Sequence, residues 1–206
     1  MESYENSNTI VILGNWNKNI FNMNWVAKNL FDLKQIQIEF PLMISEPPRF
    51  IGKEIMLTID DNRIMFTALK NTNKILLTMI EIVNILPKFF EMTPVSAIGL
   101  NFGFVEDNLE KISYLFELPD NAVLSDNGAI INNYAIKRNI KLENLEFNLA
   151  INKLERKVHF DVNLHNNITN IKEINKLYNK DNIVNKKEIV MNFLNDVYKL
   201  DEEMIL

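Results

Sequence analysis

The chain has 206 residues, a formal net charge of −5 and no cysteine. A chain of this length buries roughly 70% of its unfolded surface without staples, and the missing thiols exclude a disulfide scaffold and a thiolate metal site. The acidic balance argues against nonspecific nucleic-acid binding, and no apolar run approaches the length of a membrane span.

Residue usage narrows the chemistry further. There are two histidines, His159 and His165, and five scattered glycines. No phosphate loop, dinucleotide fingerprint, His-Glu-x-x-His helix or serine elbow is present. No metal or cofactor is therefore expected, and binding is favoured over catalysis. Asparagine is abundant, at 32 residues, and is spread along the chain rather than collected in tracts. With Ile and Lys also common, this is the residue usage of a low-G+C bacterium or its phage. The opening Met1–Asn8 is polar and acidic, unlike a signal peptide, which predicts a cytoplasmic protein with any disorder confined to those residues.

Thr9–Gly14 reads as a buried strand. Asn22 is placed to cap a helix reaching about Phe31, with Phe21 and Val26 as a hydrophobic staple. Lys34–Leu42 reads as a strand that Glu46-Pro47-Pro48 ends. Glu54–Ile59 and Arg63–Leu69 flank Asp60-Asp61-Asn62, a hairpin signal whose acids serve turn chemistry better than a metal. Asn73 can cap a helix running to Leu86, followed by Pro87. Its main face carries Ile75, Leu76, Met79, Ile80 and Val83, but Leu77 and Ile85 fall on the other side. Such a helix is buried on both sides or covers a partner.

Pro94–Phe104 reads as a strand in which Gly99 and Gly103 relieve close packing. Asp107 is placed to cap a short helix through Phe116. Pro119–Gly128 is a polar loop and the candidate boundary between an N-terminal half, 1–118, and a C-terminal half, 119–206. The two can also share one continuous sheet. Strands follow near Ile130–Ile140, Leu142–Asn152 and Arg156–Asn166. One helix starts at Thr169 or Asn170. The last starts at Asn185, with Glu188 completing a capping box and Ile189, Phe193, Val197 and Leu200 on one face. The fold class is α+β: a mainly antiparallel sheet with helices packed on one face.

Two constellations could carry chemistry. In Lys157–His165, alternation sends Val158, Phe160, Val162 and Leu164 inward and leaves His159, Asp161, Asn163 and His165 on the opposite face. A two-residue turn at Lys153-Leu154 would set Asn148 opposite His159 and Glu146 opposite Asp161. His159, Asp161, Asn163, Glu146, Asn148 and the outlying Leu77 and Ile85 are the candidate binding residues. The second constellation is Pro119-Asp120 with Glu155-Arg156-Lys157. It resembles the Pro-Asp…Asp/Glu-x-Lys arrangement of Mg²⁺ nucleases, which implies metal-holding roles for Asp120 and Glu155 and a water-positioning role for Lys157. Two basic clusters, Lys137, Arg138 and Lys141, and Lys153, Arg156 and Lys157, leave a nucleic-acid or nucleotide binder as a further alternative.

The strand Pro94-Val-Ser-Ala-Ile-Gly-Leu-Asn-Phe102 resembles the Pro-x-x-x-Ile-Gly-Leu-x-Tyr strand of a sporadically distributed family of uncharacterised bacterial proteins. That family is similar over about two-thirds of the chain in element order: a hairpin, a long helix, this strand, then an Asp-containing strand and terminal helices. This sequence has Asn101-Phe102 where the family carries Arg-Tyr, and no catalytic residue carries over. The patchy distribution of the family implies a phage-conflict or mobile-element setting. The expectation is a non-catalytic accessory, adaptor or inhibitor protein, defence-related in that setting, whose partner is another protein and not a membrane.

Overall fold

The structure, a computed structural model, describes residues 2–43, 46–142, 145–154 and 157–200. Ten strands form one antiparallel sheet. In chain order they are β1 (Glu2–Ser3), β2 (Thr9–Gly14), β3 (Gln37–Glu39), β4 (Arg49–Gly52), β5 (Ile55–Ile59), β6 (Arg63–Ala68), β7 (Val95–Glu106), β8 (Asn133–Leu142), β9 (Leu145–Leu154) and β10 (Lys157–Asn167). Their spatial order is β3-β4-β5-β6-β2-β7-β10-β9-β8, with β1 beside the far end of β7. β7, with 12 residues, pairs with β2 and β1 along one edge and with β10 along the other. Strands from the two halves of the sequence therefore share one sheet.

The helices are α1 (Met23–Val26, continued by a wider π turn at Ala27–Phe31), α2 (Asn73–Val83), α3 (Leu86–Phe89), α4 (Leu109–Ile112), α5 (Asn121–Asp126), α6 (Ile174–Leu177) and α7 (Lys180–Tyr198). Period-two alternation decides which side of the sheet they cover. Ile10, Ile12, Leu57, Phe66, Ile98, Phe102, Leu149 and Phe160 all point to one side and join Leu76, Ile80, Ile174, Val190 and Leu194 in a single buried cluster. The other side carries Thr9, Asn101, Asn148 and Asn163, none of them buried. The antiparallel sheet is thus packed on one side and open on the other, the arrangement expected of an α+β chain.

Local chemistry explains the starts of the elements. The Asn22 side chain accepts from the Trp25 amide at 3.0 Å, and Asn170 with Glu173 forms a capping box at Ile171. At the β5–β6 turn, Asp60 accepts from the amides of Asn62 and Arg63, both at 2.9 Å, while Asp61 pairs with Lys18.

Several expectations are corrected. Residues 2–8 are ordered: β1 pairs with β7, and Ser7 and Asn8 are buried. The Lys34–Leu42 strand is confined to β3. Thr72 caps α2, which ends at Val83, and Pro87 lies in the first turn of α3, where its missing N–H costs nothing. Asn108, rather than Asp107, caps α4. The polar loop Pro119–Gly128 contains α5. The last helix starts six residues before Asn185, at the Asn179 cap, whose partner at the third helical position is Asn182. Its buried stripe is therefore Ile183, Lys187, Val190, Leu194 and Tyr198, while Ile189 and Val197 are exposed.

Candidate functional site

The open side of the sheet is concave near its centre, where a cleft of about 570 Å³ is lined by residues of β2, β7, β10, β9 and β8 and by the segment 4–7. Strand register builds it. Asn139 stands opposite Asn148, Asn148 opposite Asn163, Asn163 opposite Asn101, and Asn101 opposite Thr9. Side chains at directly opposed positions share a face, so four carboxamides and a hydroxyl form one row across five strands, roughly 19 Å long at the usual strand spacing.

Hydrogen bonds run along this row with one break. Asn139 Nδ2 donates to Asn148 Oδ1 at 3.1 Å. Asn163 Nδ2 donates to Asn101 Oδ1 at 2.5 Å, and Asn101 Nδ2 donates to Thr9 Oγ1 at 2.7 Å. No hydrogen bond joins Asn148 to Asn163 among the described residues, and the cleft lies over that step.

Tyr4 closes one end. Its hydroxyl donates to Asp161 Oδ1 at 2.5 Å, and Asn152 Nδ2 donates to Asp161 Oδ2 at 3.1 Å. The Tyr4 ring meets His159 edge-on at 5.2 Å and lies over Gly103, where a Cβ would overlap it. Asn71 Nδ2 donates to the Tyr4 carbonyl, and Ser7 Oγ donates to the Gly103 carbonyl at 3.0 Å. Burial raises the Tyr4 phenol above its ordinary range, and the Asp161 carboxylate adds to the effect in a second place. The Asp161 carboxylate is thereby held as an acceptor for two donors.

The structure brings Asp161, Asn163 and Asn148 together in the cleft. Glu146 does not line the cleft but accepts from Asn139, which does, at 3.0 Å, and His159 stands beyond Tyr4. The partners expected across the hairpin are corrected. Asn152 faces His159 and Ala150 faces Asp161, because β9 runs on through Leu154, past the expected turn. This displacement keeps the alternation, so the inward set Val158, Phe160, Val162 and Leu164 is buried as expected. Leu77 and Ile85 lie in the helical layer, half-buried, with Leu77 packed against the core. Leu77 lies on α2, which is flanked by α7 and β6, and Ile85 lies between α2 and α3, so neither lines the cleft.

Of the nuclease constellation, Asp120 precedes α5, and Lys157 pairs with Asp107 at 3.2 Å. Glu155 lies outside the described residues, as does Arg156 of the second basic cluster. Among the described residues, no group of three or more His, Asp or Glu side chains is placed to hold a metal ion. Within the first basic cluster, Arg138 turns to the helical side and donates to the Tyr198 hydroxyl at 2.8 Å, while Lys137 lines the cleft. No helix among the described residues is long and apolar enough to cross a membrane.

Sequence reasoning missed Tyr4, Asn101, Asn139 and Thr9. Gly103 was the available signal: a strand glycine marks a close approach, and here the approaching group is Tyr4. No family model matches the chain, and no curated protein matches it.

Proposed function

We propose that this chain is a non-catalytic accessory protein that works by binding, and that the open, concave side of its sheet is where its partner docks. The observation that carries this reading is the row of neutral carboxamides on an uncovered sheet face. Carboxamides recognise by donating and accepting hydrogen bonds, and they neither titrate nor attack. The acid in the cleft, Asp161, already accepts from Tyr4 and Asn152. The phage-conflict or mobile-element setting implied by the family resemblance belongs to the same proposal.

The test compares affinity capture by the native chain, by Asn139→Arg on the open face and by Glu81→Arg on the helical layer. Capture lost only in Asn139→Arg supports the reading, and capture unchanged in that variant removes the open face from the site. Nucleic-acid cleavage with Mg²⁺, Mn²⁺ or Zn²⁺ that disappears in Lys157→Ala would replace binding with the nuclease alternative.

A further inference from the structure

We infer that the cleft takes a neutral saccharide, with two or three sugar residues lying along the carboxamide row. This rests on the binding reading above and names the chemistry of the ligand. The volume, about 570 Å³, falls within the roughly 300–1,000 Å³ of small-ligand sites. The break between Asn148 and Asn163 sets the requirement. A carboxamide presents a donor or an acceptor according to how it is turned, so the group that bridges two of them must be able to do both. A hydroxyl does both. A carboxylate or phosphate only accepts, and it would also meet the charge of Asp161 beside Asn163.

The charge balance points the same way. Lys137 and Arg138 are the two basic residues lining the cleft, and the Arg138 guanidinium is turned away from it, donating to the Tyr198 hydroxyl. Anion sites are built from several convergent cations or backbone amides, unlike this wall. A nucleobase needs an aromatic face on which to stack, but the Tyr4 ring already rests on Gly103 with its edge toward His159. Strands about 4.8 Å apart place one amide per strand, a spacing close to the repeat of a pyranose chain.

The test titrates the full chain, isotopically labelled, with cellotriose, maltotriose and chitotriose, and follows the side-chain amide resonances of asparagine by NMR. Saturable shifts of the cleft amides with at least one of these probes are expected. Asn148→Asp keeps the acceptor that Asn139 uses but removes a donor, and it should weaken binding about tenfold. Asn139→Asp is the second variant should the first fail to fold. Glu81→Gln, on the helical layer and away from the cleft, should leave affinity within about twofold. Retention on cellulose, amylose or chitin beads, compared with the free trisaccharide, separates a polymer-borne glycan from a free sugar. The inference is overturned by unshifted amides with all three probes, by affinity unchanged in both Asn variants, or by tighter binding of a galacturonic acid trimer. Unshifted amides together with partner capture that Asn139→Arg abolishes would sink the saccharide and leave the docking face standing.

Discussion

The ring of Tyr4 occupies the space that a side chain at residue 103 would fill, so the amino-terminal segment and the central strand are fitted to each other at Gly103. From that position the phenol reaches Asp161 across the strand boundary. Gly103→Ala should therefore expel the ring and destabilise the fold by about 1–3 kcal/mol. In a Tyr4→Ala background the same substitution should cost much less, because the colliding group is gone. Chemical denaturation of the four proteins of this cycle checks it, and additive costs would show that the two residues are not coupled.

Alkaline pH should weaken the fold. Burial raises the phenols of Tyr4, Tyr178 and Tyr198 in the folded chain, whereas unfolded tyrosines titrate near about 10. Above that value the unfolded state gives up protons that the folded state retains, so stability present below about pH 10 is lost as pH rises further. Denaturation midpoints measured on either side of that pH should fall, and Tyr178→Phe should flatten the decline.

Asn8 is fully buried, and neither atom of its carboxamide finds a hydrogen-bond partner among the described residues. An orphaned buried amide costs about 1–3 kcal/mol, so Asn8→Leu, close in shape, should leave stability unchanged or raise it by about 1 kcal/mol. A large loss in thermal melting would mean that the amide has a partner in solution.

The register of β9 against β10 can be trapped directly, because the chain has no cysteine of its own. Directly opposed residues such as Asn148 and Asn163 have Cα atoms about 4.5–5.5 Å apart, within disulfide range. Asn148→Cys with Asn163→Cys should oxidise to a crosslink detectable by mass spectrometry. Asn148→Cys with His159→Cys should not, since four residues along a strand is roughly 13 Å.

Legibility in the sequence followed the physics of each signal. Alternation in β10 is local and could be read directly, and the helix start at Asn170 was narrowed to two residues without its capping box. The partners of β10 depend on where the chain turns, and the stretch near residue 154 has no glycine, proline or Asn-Gly pair to mark it. The β4–β5 turn was invisible for a related reason: Lys53 and Glu54 both adopt positive φ, 52° and 59°, a conformation usually signalled by glycine or asparagine. In α7, Asn185 with Glu188 imitates a start, while the true cap pairs two asparagines. The carboxamide row was out of reach because each member lies on a different strand, and only the assembled register aligns them.

The sheet ends unequally, with three residues in β3 and ten in β8. A ten-residue strand with one unpaired edge is a template for joining further strands, and hence for aggregation. Lys137, Arg138 and Lys141 stud this edge with like charges, and another copy approaching edge to edge would have to set cation against cation. Lysine and arginine on an edge strand are a common device against such pairing. Neutralising all three residues should therefore raise the tendency of the chain to associate through this edge.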